Sequence, residues 1–276
     1  MELPFKISEE KPSKALLPYV KRYVYFEYDG PGNFVNQVAP SGTIFLNHFY
    51  GDRKTRIIKG DTIITDPADV MILGQVIRKD VQVEYRDTVR NLLVEFTPTG
   101  FYELFHYPTH KINDKEIDIR VLGYNEFVDE LTQLSDPKAK KDCFETFFER
   151  LATTPAAIDP HIKEAVNNFL QDPTQSTLAI DDHYVKTEAG KKKLYRLFRK
   201  YVGLSPKQFQ RVAQLNHIIH LININDFESL SELALSAGYY DQSDFIKHFK
   251  SYVVAKPSKF INRKEEVLYK FMGKKS

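Results

Sequence analysis

The sequence predicts an α+β protein with strands first and helices after. Three observations carry that prediction. Residues 20–96 hold short runs rich in Val, Ile, Tyr, Phe and Thr, broken by turn residues. Beyond about residue 97 apolar side chains recur at helical spacing. Residues 194–209 and 245–260 are one segment written twice, 51 positions apart.

The runs Val20–Tyr28, Phe34–Val38, Thr43–Tyr50, Thr62–Thr65, Val70–Leu73, Val81–Tyr85 and Val89–Phe96 read as strands. Turn signals separate them at 29–32, 40–42, 51–52 and 66–67. Strands this short and this evenly spaced suit an antiparallel, barrel-like sheet. Thr97 can cap a helix and Pro98 can occupy its first position, so a short helix should run to about Phe105 and end before Pro108. Helical spacing continues through 114–121, 124–134 and 138–152. Cys143 shares its apolar stripe with Phe144, Phe147, Phe148 and Leu151, which points to core packing. Pro155 and Pro160 then mark a boundary, giving domains over 1–155 and 156–276.

The punctuation of the second domain is specific. Ser205 is an N-cap followed by Pro206, and Phe209, Val212, Leu215, Ile218, Ile219 and Ile222 form one stripe. A helix over 206–222 would be about 25 Å long. Ser229 and Glu232 have capping-box spacing, Gly238 suits a left-handed helix end, and Asp241 caps the next helix. Helix, tight turn, second helix is a helix-turn-helix. The predicted fold is therefore an antiparallel β-barrel-like domain with helices, then an all-α domain of two helix-turn-helix units joined by a long helix.

The two repeat copies share Phe198/Phe249, Tyr201/Tyr252, Val202/Val253, Pro206/Pro257 and Phe209/Phe260, and keep a cation at Arg196/Lys247 and Arg199/Lys250. The formal charge of +2 is unevenly spread, about −5 over 1–159 and +7 over 160–276, with nine cations against one anion in 185–211. Two short basic helices on one chain suit a periodic polyanion, double-stranded DNA above all. One cysteine excludes an intrachain disulfide, and no run approaches a membrane span, so a cytoplasmic protein without a membrane partner is expected.

Leu233, Ala234, Gly238, Tyr239, Asp241, Gln242, Ser243, Phe245, Phe249, Lys250 and then Pro257 resemble the signature of AraC/XylS-type transcription regulators. Leu194, Tyr195, Arg196, Phe198, Val202, Gly203, Ser205 and Pro206 resemble that family's first recognition helix and its exit. The resemblance covers about 160–262. It implies sequence-specific DNA binding, RNA polymerase as a further partner, and a first domain that senses a small-molecule effector, forms a homodimer, or both. Three departures stand out: no clear Leu-Ala support helix over 178–187, Gly190 where a Ser or Thr usually caps the first recognition helix, and Val254 in place of a glycine.

Register from Gly190 puts Lys192, Tyr195, Arg196 and Arg199 opposite the apolar stripe. The resemblance makes Lys192, Tyr195 and Arg196 base readers, and Arg196 can bond guanine bidentately. Lys191, Lys193 and Lys200 suit phosphates. In the second copy Gln242, Ser243, Asp244 and Lys247 take the groove-facing positions, with Lys250 nearby. Asp244 can accept from cytosine but repels phosphate, so it also fits a capping or solvent role. The plain alternative for both helices is a solvated basic surface.

Val94–Pro98, Phe101, Tyr102, Leu104 and Phe105, followed by Asn113 and Asp114, resemble the sensor halves of such regulators more weakly. Tyr23, Tyr25, Phe45, Phe49 and Tyr50 could line a ligand site in a barrel mouth, although alternation alone favours core packing. An enzyme in the barrel is the rival from another class. Its support is thin: there is no His-x-His pair, His48 stands alone, and His106 and His110 flank Pro108. No phosphate-binding loop or nucleophile elbow occurs, so neither catalysis, a metal nor a cofactor is expected. A second rival is an interaction protein that has lost DNA binding.

Overall fold

The computed structural model describes residues 5–50, 55–65, 67–78, 80–174, 184, 186–253 and 256–262. Its first half is built on one long strand, β7 (Val81–Phe96), which pairs along its length with β2 (Val20–Gln37). On its other edge β7 pairs with β3 (Phe45–Tyr50) through residues 90–95 and with β4 (Thr55–Lys59) through 81–85. The remaining strands are β1 (Phe5–Glu10) on β2, β5 (Thr62–Thr65) on β4, β6 (Val70–Leu73) on β3 and β8 (Glu116–Asp118) on β6, all antiparallel. The order β1-β2-β7-β3-β6-β8 is an open, barrel-like path.

The expected turn at 29–32, and the break expected between Val81–Tyr85 and Val89–Phe96, are absorbed into strands. Asp29 pairs with Thr88 and Asn33 with Arg86, so residues 30–32 bulge opposite residue 87 and neither strand breaks. Three strands were not expected. In β1 and β4 the outward positions carry charge, and in β4 an inward one does too, because Lys59 is buried against Glu116. Over 114–121 the helical spacing misleads: strand β8 is followed by a 3-10 turn at Ile119–Leu122.

One sheet face carries Tyr23, Tyr25, Leu46, Val70, Ile72, Leu92 and Val94, and three helices cover it. These are α1 (Gly100–Phe105), α2 (Asn125–Gln133) and α3 (Pro137–Leu151). Cys143 is buried there among Phe144, Phe147 and Phe148. Helix α1 starts later than expected: Thr97 bonds back to Pro18 and Tyr19, leaving Pro98 in the turn, and Thr99 stands at the N-cap. The Lys140 ammonium is buried under α3 and donates to His48 Nε2 (3.0 Å) and to the Leu131 carbonyl (3.2 Å). Because His48 Nδ1 lies 3.0 Å from the Asp69 carbonyl oxygen, that nitrogen carries the proton and Nε2 accepts. Burial pushes the Lys140 pKa down.

The other face bends around a cavity of about 150 Å³ lined by Phe26, Phe45, Ile57, Val76, Val83, Tyr85 and neighbours. Of the five aromatics proposed for a ligand site, Phe45 lines this cavity. Tyr23 and Tyr25 belong to the helix-covered core, Tyr50 packs against it, and Phe49 is buried.

The helical half contains α4 (Pro160–Gln171), α5 (Glu188–Val202), α6 (Pro206–Ile224), α7 (Leu230–Ser236), α8 (Gln242–Tyr252) and α9 (Pro257–Asn262). At 19 residues, α6 is roughly 28 Å long. Its first half, through Phe209 and Val212, joins a core with Phe169, Leu194, Phe198 and Val202; its second half, Leu215 to Ile222, joins one with Leu233, Phe245, Phe249 and Phe260. Tyr102 of the first half of the chain enters the former and Ala39 the latter. Among the described residues no helix is long and apolar enough to cross a membrane.

A buried charge cluster ties the sheet to the segment that meets these helices. Glu95 accepts from Arg22 (2.6 Å), Lys21 (3.1 Å) and the Thr43 hydroxyl (3.3 Å), and Arg22 also reaches Glu9. Burial alone would raise the Glu95 pKa, but the charges and hydrogen bonds of Lys21 and Arg22 outweigh it and hold the carboxyl below its ordinary value. A depressed carboxyl stabilises the fold above its unfolded pKa, and that contribution is lost as pH falls through the folded one. Glu95→Gln should therefore cost about 3 kcal/mol in urea unfolding at pH 7 and weaken the acid sensitivity of stability below about pH 4. An unchanged urea midpoint at pH 7 contradicts this.

Candidate nucleic-acid interface

The repeat is a structural repeat. Phe198 and Phe209 meet edge to face at 5.7 Å and 60°, and Phe249 and Phe260 do the same at 5.5 Å and 69°. The shared residues are thus mostly core, and each copy presents its own polar face outward. Val202 and Val253 are buried alike, and Pro206 and Pro257 each open the following helix.

Helix α5 begins at Glu188 rather than near Gly190, because Thr187 is the cap: its hydroxyl accepts from the Gly190 amide at 3.0 Å. Gly190 sits inside the first turn for a packing reason. A Cβ there would lie 2.4 Å from the Tyr184 carbonyl oxygen. The stretch 178–187, one of the three departures, falls largely outside the described residues, as does Val254. Helix α4 packs against α5 through Ile162, Ala165, Val166 and Phe169, and Tyr184 joins the same core.

Lys191, Lys192, Lys193, Tyr195, Arg196 and Arg199 are all exposed on α5. Lys191 pairs with Glu188 at 2.8 Å, Lys193 lies over the Tyr184 ring at 5.5 Å, and Arg199 lies over the Tyr195 ring at 5.9 Å. These contacts hold the long side chains near the helix without burying their charge. Lys200 differs from its expected phosphate role. It turns away, over the rings of Tyr102 (5.2 Å) and Tyr201 (5.6 Å), and hydrogen bonding to Tyr102 raises its pKa.

On α8, Ser243, Asp244, Lys247 and Lys250 are exposed and Gln242 is half-buried, accepting from the Ser231 hydroxyl at 3.2 Å. Asp241 caps this helix by accepting from the Asp244 amide at 2.8 Å, so the Asp244 carboxylate is not the cap. Gly238 takes the expected left-handed conformation at φ +75°. The Ser229 cap is only half of a capping box: Glu232 reaches back to the Glu228 amide, one residue before the cap. Beneath α8, the Tyr239 hydroxyl and His248 Nδ1 share a hydrogen bond. Tyr240, at the helix entry, is 91% exposed, a large ring that no sequence signal singles out.

The helical half matches a known family. Residues 186–263 match the family described as "Helix-turn-helix domain", and residues 8–118 match a "Domain of unknown function (DUF6597)". The Msm operon regulatory protein of Streptococcus mutans is 32% identical over 100 residues, which are 36% of this chain and 35% of that protein. Residues 186–263 thus carry a helix-turn-helix domain. It spans about a third of the length of the curated relative it matches. Two solved structures of ToxT from Vibrio cholerae align with 94% of this chain and 98% of their own. One is 10% identical with a TM-score of 0.46, and the other, bound to (E)-4-(8-methylnaphthalen-1-yl)but-3-enoic acid, is 12% identical with a TM-score of 0.47.

The second helix-turn-helix unit carries a pH signature. Burial, then the charge of Arg211, lowers the His248 pKa to about 4. The unfolded chain then binds more protons than the folded one between about pH 6.5 and pH 4, so stability falls as pH drops through that window. We expect a loss of about 2 kcal/mol after allowing for solvent screening, largely absent in His248→Gln. Urea midpoints at pH 7, 5 and 4 check it, and equal slopes in the two proteins contradict it.

Proposed function

We propose that this chain is a sequence-specific, DNA-binding transcription regulator rather than an enzyme, with α5 and α8 as its reading helices. The observation that carries the reading is the pair of aromatic clasps, Phe198 on Phe209 and Phe249 on Phe260, which fasten two outward polar helices to one linker. The helix-turn-helix match over 186–263 and the relative described as an operon regulatory protein support it. Successive major grooves on one side of a duplex lie about 34 Å apart, and α6 is the spacer that would set the two helices to them.

In this reading Lys192, Tyr195 and Arg196 contact bases from α5, while Lys191, Lys193 and Arg199 hold phosphates. On α8, Gln242, Ser243, Asp244 and Lys247 face the groove and Lys250 a phosphate. Helix α5 supplies most of the affinity, because α8 and its cap bring Asp241 and Asp244 toward a polyanion. A small molecule in the sheet domain biases the DNA-bound state, and the regulator acts on RNA polymerase in the cytoplasm as a homodimer.

Affinity for duplexes selected from random oligonucleotides should fall steeply with salt. Arg196→Ala should lower discrimination between selected and random duplexes by roughly 1–3 kcal/mol. Lys193→Ala should weaken both duplexes alike and reduce the salt slope by about one. Fluorescence anisotropy at two salt concentrations reads both effects. A salt-independent affinity, or an Arg196→Ala protein with unchanged discrimination, contradicts the assignment.

A further inference from the structure

An α-helix leaves its last four carbonyl groups without intrahelical donors. At the end of α5 residues packed from the sheet half reach the carbonyls of Arg199, Lys200, Val202 and the cap residue Gly203, and the Gly203 amide also bonds Arg199 at 3.0 Å. The buried Thr109 hydroxyl lies 3.2 Å from the Arg199 carbonyl oxygen and 3.0 Å from that of Lys200. The Gln75 amide donates to the Val202 carbonyl, and the Asn113 amide donates to the Gly203 carbonyl at 2.7 Å. Gly203 is left-handed at φ +92°, and a Cβ there would stand 3.0 Å from Asn113 Oδ1. The glycine therefore ends the helix and also lets the platform approach.

The three donors sit on one rigid platform. The Gly74 amide bonds the Lys115 carbonyl at 2.9 Å, and the Asp114 amide bonds the Gln75 carbonyl at 2.9 Å. The Asp114 carboxylate accepts from the amides of Ile77 (2.7 Å) and Arg78 (3.1 Å). Gly74 is obligatory here, since a Cβ would fall 1.7 Å from the Ile112 carbonyl oxygen. The Gln75 amide also donates to the Gly42 carbonyl at 3.2 Å, while its own oxygen, buried, finds no partner among the described residues. Such an orphaned oxygen is tolerated where the amide nitrogen is needed elsewhere. Gly42 in turn packs on Phe209 and Val212, and Asn216 of α6 donates to the Ser41 carbonyl at 2.8 Å. The end of α8 receives no such donors from the sheet domain among the described residues.

We propose that Gln75, Thr109 and Asn113 are positioning residues for DNA reading: by capping the last turn of α5 they fix the orientation in which Arg196 and its neighbours meet the bases. The inference rests on the DNA-binding reading of α5. It adds that the sheet domain is part of the reading apparatus of the first unit and not of the second. The cavity wall supplies Ser41, Thr43, Gly74 and Val76, so the platform adjoins the cavity and its occupancy would be felt at this latch.

The test uses the full chain and a duplex selected from random oligonucleotides by the unaltered protein, with a random duplex of equal length for comparison. Thr109→Val keeps the shape and removes the hydroxyl; Thr109→Ser restores it. Thr109→Val should lower the ratio of selected to random affinity about tenfold, Thr109→Ser should stay within about twofold of the unaltered protein, and random-duplex affinity should hold in both. Asn113→Ala, at a half-buried position, should lower the ratio in the same direction and serves if Thr109→Val does not fold. Arg196→Ala separates the two ideas. If it lowers the ratio while Thr109→Val and Asn113→Ala leave it unchanged or raise it, the positioning inference is overturned and the DNA reading stands. A Thr109→Ser protein as impaired as Thr109→Val overturns it too, because packing and not the hydroxyl would then matter. If Arg196→Ala also changes nothing, both fall.

Discussion

The burial of one helix in two cores is the constraint on which the rest of this structure depends. Helix α6 gives Phe209 and Val212 to the first core and Leu215, Ile218, Ile219 and Ile222 to the second. Both units pack on this one helix, so the spacing of α5 and α8 follows from a single continuous backbone. The full capping box at Ser205 and Gln208, with Pro206 at the first position, sets where that backbone begins.

The first unit has a second anchorage that its twin lacks. Thr109, Gln75 and Asn113 cap α5, the rings of Tyr102 and Tyr201 meet at 4.7 Å, tilted by 49°, and Glu103 takes Lys163 at 3.0 Å and the Ala156 amide at 2.7 Å. The sheet domain therefore meets the helical domain through hydrogen bonds to backbone and a few aromatic rings. Contacts of that kind are directional, and a small displacement of the platform breaks several together. The charge cluster around Glu95 reaches the same segment through Thr43, whose hydroxyl also lies 3.1 Å from that of Ser41, the residue whose carbonyl accepts from Asn216 of the linker helix.

Much of the helical half was legible because its signals are local. Ser205 with Pro206, Gly238 and Asp241 act within four or five residues, and their geometry is the one their chemistry dictates. The repeat was legible because both copies bury the same rings. Thr187 was missed as the cap because Gly190 looked like the vacant cap position, whereas that glycine answers a close contact with the Tyr184 carbonyl, which spacing alone does not reveal. The sheet was harder to read. Turn residues at 29–32 form a bulge only because residue 87 lies opposite, and Lys59 reads as a surface residue until Glu116 is brought to it. The latch was legible only in part: Asn113 and Asp114 stood out by resemblance, but nothing near Gln75 or Thr109 in sequence announces a helix end some ninety or more residues away.

Two polar helices fastened to a shared spine are either a device for reading neighbouring grooves or a coincidence of packing. Hydroxyl-radical footprinting of the full chain on a selected duplex decides this most directly. Two protected windows are expected on one face of the DNA, about one helical turn apart, with the window assigned to α5 fading in Arg196→Ala and the other persisting. A single window, or two that fade together, would contradict the two-helix reading.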